Sequence, residues 1–274
     1  MTSLSIRPAF PRRIVCLTEE TTEALYLMGE GDRVVGVSGY TVRPPEARRK
    51  PRVSAFTTAN IEKICSLSPD MVLGFSDLQA DIMKDLVKKG IAVLVFNQRS
   101  VSEILQMILV LGGIIGCPEK ASSLVDELQR GLDRAAEKGA AFARRPRVYF
   151  EEWMDPLISG IRWVEELIEI AGGETIFPEL RSSGLAKDRI VDPAEVVARN
   201  PDVIIASWCG KRLVRDKITS RPGWDRIEAV RSGRIHEVKS AYILQPGPAS
   251  LTEGLAQLSE IIGRTAADLE EHAG

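Results

Sequence analysis

Two neighbouring carboxylates and two tryptophans stand within one short stretch of the chain, EEWMDPLISGIRW at residues 151–163. A pair of carboxylates can perform acid–base chemistry, as in glycosidases, when the two groups face each other across a set distance. Glu151 and Glu152 are adjacent, however, so in a strand their side chains point to opposite faces. We therefore expect one of them, assigned as Glu152, to accept hydrogen bonds from a bound molecule. The alternative is that the two carboxylates are simply solvated at the start of a helix and contact no ligand.

Histidine and cysteine, the usual metal ligands, are few and scattered. The chain has two histidines, so catalysis or metal ligation by several histidines is excluded by number. We expect His236 to be a strand residue with a hydrogen-bonded ring, and His272 to lie in a frayed tail. Four cysteines without a C-x-x-C pair are typical of buried thiols rather than of a disulfide framework or a zinc site. These are Cys16, Cys65, Cys117 and Cys209.

Sequence motifs of common enzyme classes are incomplete. GVSGY at 36–40 falls one residue short of the G-x-S-x-G motif of hydrolases. GEGDRV at 29–34 lacks the third glycine of a dinucleotide-binding motif, and it follows a predicted helix rather than a strand. No phosphate-binding loop sequence is present. These absences favour a binding protein over an enzyme.

The composition excludes several classes of protein. With 44% hydrophobic and 27% charged residues and a net charge of −2, the chain is typical of a globular protein without a nucleic-acid-binding surface. Its longest apolar stretch, 104–116, has 13 residues, fewer than the roughly 18 that span a bilayer. The N-terminal segment lacks the apolar core of a secretory signal. We expect a monomer that is cytoplasmic as encoded, or periplasmic if an export signal was trimmed.

The elements that must position these residues repeat once along the chain. SLSPDMVLGF (66–75) recurs as ARNPDVIIAS (198–207), with the two prolines 132 residues apart. RIVCLTEE (13–20) recurs as RVYFEEW (147–153), with the two arginines 134 residues apart. Because the offsets are nearly equal, we predict two similar lobes.

Each half alternates short apolar runs with helical patterns, which is typical of parallel strands joined by right-handed crossovers. In the first half the predicted strands are 13–17, 34–37, 71–74 and 92–96, and the predicted helices are 19–28, 59–66, 78–89 and 102–115. In the second half the predicted strands are 147–151, 203–207 and 234–238, and the predicted helices are 162–171, 193–199, 211–219 and 250–262.

A long amphipathic segment separates the halves. Its apolar residues recur at helical spacing and Pro118 suits a first helical position, so a helix of about 25 residues would span roughly 37 Å. The predicted fold class is α/β, with two Rossmann-like lobes joined by one long rigid helix and a ligand cleft between the lobes. The predicted limits are 1–116 for the N-terminal lobe, 117–145 for the linking helix and 146–274 for the C-terminal lobe.

Each lobe has an insertion that its counterpart lacks. The second lobe has nine extra residues, and they fall within 151–163. The first lobe has a longer loop at 39–60. Ligands of such folds bind beyond the carboxyl ends of the strands, and both insertions follow such an end. We therefore expect both insertions to face a shared cleft.

With these features in this order, the chain resembles the substrate-binding proteins of ABC importers for iron-siderophores, haem and vitamin B12, in which one helix links two lobes. The likeness extends from 13 to 263, and PPEARRKPRVSAF at 44–56 is most similar to the cobalamin-binding branch. The other segments that carry it are RIVCLTEETTEALYLMGEGDRVVGVSGY, IEKICSLSPDMVLGF, LIEIAGGETIF, NPDVIIAS and GWDRIEAVRSGRIHEV.

The resemblance implies a non-enzymatic protein that binds a corrinoid, a cobalamin-like metal chelate, as its ligand and has no cofactor of its own. It also implies docking on a membrane permease through one acidic residue on each lobe, and Asp81 is the available acid near the first position. Two alternatives stay open. The protein could be a cytoplasmic carrier or sensor of haem or a siderophore, or an enzyme that recruited the cleft.

Aromatic rings suit such a ligand because a corrin or haem presents a flat apolar face. The resemblance implies pocket positions for Phe56 and Phe75. Trp153 and Trp208 follow directly after predicted strands, and Tyr40 opens the first-lobe loop. Core packing is the alternative for each of these five.

Three further residues complete the candidate set. Thr18 starts the first predicted helix, where a helix cap is normal, and Tyr242 precedes the last predicted helix. For His236, an axial bond to a cobalt or iron ion in the ligand is the alternative to a satisfied strand histidine. Core packing is our expectation for Trp163 and Trp224.

Overall fold

The computed structural model describes residues 9–272, which divide into two compact units. Unit 1 takes the chain up to Gln98 together with Leu105–Asp126. Unit 2 takes Arg99–Ile104 together with the chain from Glu127 onward. Each unit has its own largely parallel sheet, which confirms the predicted α/β class with two lobes. The predicted limits 1–116, 117–145 and 146–274 stay predictions.

Unit 1 is built on five parallel strands. They are β1 (Ile14–Cys16), β2 (Val34–Ser38), β3 (Arg52–Ser54), β4 (Met71–Phe75) and β5 (Val93–Phe96). The spatial order is β3–β2–β1–β4–β5, the order of a Rossmann-like half. The central strand β1 is fully buried, as its apolar sequence IVC predicts for a strand covered on both faces. The first four helices of the chain are α1 (Glu19–Leu27), α2 (Ile61–Ser66), α3 (Ala80–Lys88) and α4 (Val101–Ile114).

The linker segment is helical, as predicted. Helix α5 (Pro118–Ala140) begins at the expected proline and supplies residues to both units, with the division after Asp126. The buried side chains recur every three or four residues, and this spacing is the amphipathic pattern from which the sequence predicts a helix. They are Ala121, Leu124, Leu128, Leu132 and Ala135.

Unit 2 is built on five strands, of which one is antiparallel. They are β6 (Arg147–Met154), β7 (Leu157–Ser159), β8 (Glu174–Thr175), β9 (Val203–Ala206) and β10 (Ile235–Glu237). The order is β10–β9–β6–β7, with β8 also on β6, and β7 runs antiparallel to β6. The helices are α6 (Arg162–Ile170), α7 (Pro193–Arg199), α8 (Asp216–Thr219), α9 (Glu228–Arg231), α10 (Ser240–Ile243) and α11 (Leu255–Glu271).

Two tryptophans lie in the packed interior of unit 2, as predicted. Trp224 is fully buried, and its ring meets Tyr149 edge-on at 6.1 Å between centroids. Trp163 is buried in α6, where its indole Nε1 donates to the carbonyl of Ile243 at 2.9 Å. Both rings therefore anchor the elements around them rather than presenting a free face.

The prediction of a loop at 39–60 was wrong in part because short strands carry little sequence signal. The predicted loop at 39–60 contains β3, which pairs in parallel with β2. The insertion at 151–163 forms a short hairpin, since β6 continues to Met154 and the chain returns as β7. A three-residue strand such as RVS or LIS is too short to show alternation.

Predictions for the last third of the chain need correction as well. The helix expected at 211–219 is reduced to α8, because the irregular segment before it bonds to another element, with Leu213 N donating to Glu237 at 3.2 Å. The last helix opens with a π-helical segment, Ser250–Gly254, before α11. His272 is the C-cap residue of α11, with a ring nitrogen 2.6 Å from the carbonyl of Asp268, and the frayed tail expected there stays a prediction.

The cysteines lie within residues 9–272 and form no disulfide there. Cys16 and Cys117 are buried as predicted, but Cys65 is half-buried and Cys209 is exposed. Cys209 is exposed because it stands in the turn after β9, next to Gly210 with φ of 69°. Across the described part of the chain, no helix combines the length and apolar character that crossing a membrane requires.

Candidate functional site

The strand ends of unit 1 form one continuous edge. Gly39 N donates to the carbonyl of Ser54 at 2.7 Å, and Ser54 Oγ donates to the carbonyl of Leu17 at 2.9 Å. These bonds tie together the chain where it leaves β1, β2 and β3. Ligands of parallel α/β sheets bind at this kind of edge. The residues predicted here are Thr18, Tyr40, Phe56 and Phe75.

Gln79 connects two of the predicted aromatic residues. Its amide Nε2 donates to the carbonyl of Phe56 at 2.7 Å, and its Oε1 accepts from Phe75 N at 2.9 Å. Gln79 is fully buried, Phe75 is buried at the end of β4, and Phe56 is half-buried. Phe56 adopts φ of 55°, a left-handed conformation that is unfavourable for a bulky residue and costs about 1–3 kcal/mol. Backbone strain of this kind is concentrated at functional sites.

The chain after β4 is shaped to hold this glutamine. Ser76, with φ of 65°, accepts from Leu78 N at 3.1 Å and starts a tight turn that folds Gln79 back onto the strand. Gly74 leaves the necessary space, because a Cβ there would collide with Met83 and approach Gln79 Oε1 to 2.8 Å. The glycine is therefore favoured by close packing, since a larger residue would displace the ends of the Met83 and Gln79 side chains.

Buried carboxyl groups surround the start of α1. Thr18 is buried at the N-cap position, but its hydroxyl donates to Glu20 at 2.5 Å instead of capping the helix, so the expected cap is absent there. Glu23 accepts from Arg43 Nε at 2.9 Å. Burial, and next the charge of Glu20, raise the pKa of Glu19 to about 8. This end of the sheet is therefore rich in carboxyl groups, one of which holds its proton at neutral pH.

Two predicted residues of unit 1 reach solvent. Tyr40 is 59% exposed, so its ring has a free surface. Asp81, in the first turn of α3, has a side chain that is 97% exposed and lies 3.8 Å from Lys84 Nζ. Its proposed docking role stays a prediction.

The strand ends of unit 2 also meet. Ser207 N donates to the carbonyl of Glu151 at 2.9 Å, and Val238 N donates to the carbonyl of Ala206 at 3.1 Å. The chain leaving β6, β9 and β10 is thereby held at one edge. Trp153 and Trp208 lie at this edge, and they come from neighbouring strands.

The insertion adds a hairpin to this edge. Glu151 pairs with Ser159 and Trp153 with Ile158, so Glu152 is the extra residue of a β-bulge. The hairpin turn borders a groove of about 440 Å³ that also receives Arg221. Its apolar lining comes from Met154, Pro156, Leu157, Ile190, Val191, Pro193 and Pro222.

The two adjacent acids of the insertion have different arginine partners. Glu151 is fully buried, and its carboxylate binds Arg221 at 2.5 and 2.9 Å and accepts from Trp208 Nε1 at 2.9 Å. Glu152 binds Arg189 at 2.7 and 3.2 Å. They point in different directions, as predicted, and each carboxylate is neutralised by a guanidinium. This pairing does not form a catalytic dyad.

Trp153 and Trp208 differ in exposure. Trp208 is 2% exposed and packs in the core with Tyr149 and Trp224. Trp153 is half-buried, and its Nε1 donates to the carbonyl of Asp155 at 2.9 Å. The Lys211 ammonium lies 4.4 Å from the centroid of the Trp153 ring, a cation–π distance. One face of the Trp153 ring is therefore covered by the flexible side chain of Lys211 rather than by the core.

His236 and Tyr242 are both half-buried. Burial, followed by the charges of Arg215 and Arg264, lowers the pKa of His236, so its ring is neutral near pH 7. Among residues 9–272, no group of three or more His, Cys, Asp or Glu side chains is placed to hold a metal ion. Axial ligation by His236 stays a prediction. Ligand contact also stays a prediction for Thr18, Tyr40, Phe56, Phe75, Glu152, Trp153, Trp208 and Tyr242.

Three contacts could not be inferred from sequence. Arg189 lies 37 residues from Glu152, and Gln79 lies 23 residues from Phe56, so only the folded chain brings each pair together. Lys211 follows Trp208 closely in sequence but contacts Trp153. A weak signal existed for Gln79 alone, since a polar side chain just after a buried strand lies at the ligand edge.

The chain is similar to known proteins in both sequence and fold. Residues 14–242 match the family model described as periplasmic binding protein. An uncharacterized ABC transporter substrate-binding lipoprotein of Bacillus subtilis, YvrC, is 31% identical over 92% of this chain and 80% of its own length. A vitamin B12-binding protein of Pectobacterium atrosepticum is 24% identical over 78% of each chain. The solved periplasmic heme-binding protein RhuT of Roseiflexus sp. superimposes with a TM-score of 0.80 at 23% identity, over 93% of this chain and 99% of that one, which shows the fold.

Proposed function

The chain belongs to the periplasmic binding protein family, and on that premise we propose that it binds a corrinoid such as cobalamin for an ABC importer. Members of this family are solute-binding proteins and not enzymes. The prediction of a non-enzymatic protein is therefore confirmed, and the alternative of an enzyme that recruited the site is removed. In such proteins the chelate is a transported ligand rather than a cofactor.

One structural observation supports a flat ligand. At the edge of each sheet an aromatic ring is only half-buried, Phe56 in unit 1 and Trp153 in unit 2. Partly exposed rings offer large apolar surface at little entropic cost, which suits the face of a macrocycle. That the ligand lies in a cleft shared by both lobes remains a prediction from the sequence.

The choice of a corrinoid rests on charge as well as on likeness. The vitamin B12-binding relative supports it. Glu20 is buried beside Thr18 at the edge of unit 1, and carboxyl oxygens accept hydrogen bonds from the amide groups at a corrin's periphery. The charge of Glu20 disfavours a ligand with carboxylates of its own, because buried like charges repel.

Haem or an anionic siderophore is the second candidate. The ammonium of Lys211 over Trp153 favours it, since this cation could pair with a carboxylate at the rim of a stacked ligand. The haem-binding structural relative is consistent with the fold but does not decide the ligand.

Titration calorimetry with cyanocobalamin, run in parallel with haemin, tests the proposal. We expect saturable binding of cyanocobalamin, and its red colour should co-elute with the protein in gel filtration. If cyanocobalamin gives neither heat nor co-elution, the corrinoid proposal is wrong. Binding of haemin alone would favour the second candidate.

The proposed transport role requires a permease and a location at the membrane surface. We propose that Asp81 belongs to the docking surface, because it is exposed at the start of α3. Cell fractionation tests the location, and a loss of permease stimulation in Asp81→Asn tests the docking role. A fully cytoplasmic protein would instead support an intracellular carrier or sensor.

A further inference from the structure

The orientation of Phe56 is held by a side chain from another element. Gln79 is fully buried and forms hydrogen bonds with the carbonyl of Phe56 and the amide of Phe75. We infer that Gln79 is a positioning residue that fixes the ring of Phe56 for ligand contact. This inference rests on the proposed function, because Phe56 must touch the ligand for its orientation to affect affinity.

The hydrogen bonds allow one orientation of the glutamine amide. A carbonyl can only accept and a backbone N–H can only donate, so the NH₂ group must face Phe56 and the oxygen must face Phe75. Flipping the amide would place its oxygen against the Phe56 carbonyl, both acceptors, and its NH₂ group against the Phe75 N–H, both donors. The side chain therefore links the loop after β3 to the end of β4 in a single arrangement.

The loop itself needs such a link. Phe56 has φ of 55°, so a relaxed loop would return this residue to an extended or right-handed conformation and turn its ring. Neighbouring bonds fix the base of the loop, with Ala55 N donating to the carbonyl of Thr58 at 2.8 Å. The bond from Gln79 acts on the strained residue directly.

The surroundings of Gln79 are adapted to it. Gly74 leaves room for Met83 and the glutamine, and the turn at Ser76 returns the chain so that Gln79 faces the strand it has just left. A glutamine that merely filled space would not require two directed hydrogen bonds and an adjacent glycine. The arrangement serves the geometry at the sheet edge.

A double-mutant cycle with cyanocobalamin tests the inference. The variants are Gln79→Met, which removes both hydrogen bonds at similar volume, Phe56→Ala, and the two combined. We expect each single variant to weaken binding by about tenfold, and the double variant to bind like Phe56→Ala within about twofold. Losses that multiply in the double variant would overturn the inference, because a purely structural role of Gln79 does not depend on the ring of Phe56.

A second variant keeps the test decisive if Gln79→Met folds poorly. In Gln79→Glu the carboxyl group can donate to the Phe56 carbonyl when protonated and repels it when ionised. The affinity of Gln79→Glu for cyanocobalamin, relative to that of wild type, should fall by about tenfold between pH 5.5 and pH 9. In the Phe56→Ala background the same substitution should cause no such fall. A ratio that does not change with pH contradicts the inference. Gln106→Glu, at an exposed position of α4, is the matched control.

Failure of the proposed function has a different signature. If wild type does not bind cyanocobalamin, the corrinoid proposal fails before Gln79 is tested. If wild type binds and Phe56→Ala binds equally well, Phe56 is not a contact residue and the inference about Gln79 falls with it. If Phe56→Ala binds weakly and Gln79→Met binds normally, only the inference is wrong.

Discussion

Arg189 donates hydrogen bonds from both terminal guanidinium nitrogens to the carboxylate of Glu152, at 2.7 and 3.2 Å. The Arg189 side chain is 1% exposed. The same guanidinium donates to the carbonyl of Ser159 on the returning strand of the hairpin. One buried cation therefore joins the bulge of β6 to β7. The insertion that distinguishes the second unit is held by this ion pair as well as by strand pairing.

Arg189→Met should lower the free energy of unfolding by about 3 kcal/mol, because it leaves a carboxylate and a carbonyl without their partner. Urea unfolding followed by circular dichroism measures the change. Arg264→Met breaks an exposed ion pair with Glu260 and should cost less than about 1 kcal/mol. Equal losses in the two variants would show that burial of Arg189 does not matter.

Trp153→Ala should weaken cyanocobalamin binding by about tenfold or more while the protein stays folded. The ring is half-buried at the sheet edge and presents a face that the core does not cover. Phe10→Ala removes an exposed aromatic ring elsewhere and serves as the control. Unchanged affinity in Trp153→Ala would count against the assignment of this edge as a ligand site.

Lys211→Met should strengthen binding of a neutral corrinoid by about two- to fivefold, since a cation–π contact of about 0.5–1 kcal/mol no longer competes for the indole face. Tryptophan emission should change as the ammonium leaves the ring. Binding of haemin should weaken instead, if it occurs. Lys187→Met, at an exposed position, controls for the loss of one positive charge.

Stability should depend on pH through Glu165. Burial raises its pKa to about 8 from an ordinary value of 4.5, so the folded protein keeps a proton that the unfolded chain releases above 4.5. The stabilisation is complete below pH 4.5 and is lost as pH rises through 8, by at most about 1.4 kcal/mol per pH unit for one proton. Glu165→Gln should flatten this part of the profile measured by urea unfolding. Glu137→Gln, exposed on α5, should leave the slope as in wild type.

The sheets were predictable because their strands are buried on both faces. Runs such as MVLGF and VIIA stand out against the surrounding polar segments, and β4 and β9 lie where these runs predict them. The linker helix was predictable for a related reason, since its buried residues recur at helical spacing. The likeness between the two halves predicted an insertion at 151–163, and this stretch contains the end of β6 and the returning strand β7.

The candidate site was predictable only as a set of positions at strand ends. Trp153 and Trp208 have the same sequence context, yet one is half-buried and the other lies in the core. What separates them is contact with residues far along the chain, including the bond between Trp208 and Glu151. A local pattern does not contain such information, because it depends on how strands are ordered in the sheet.

The space left by Gly74 has an evolutionary consequence. Alanine at this position would displace the side-chain ends of Met83 and Gln79 together, so we expect substitutions at the three positions to be coupled. A homologue that has lost the glycine should also have exchanged the glutamine and shortened the methionine, and its loop after β3 would be free to diverge. The triplet offers a simple criterion for dividing relatives of this chain into those that share its geometry and those that have evolved another one.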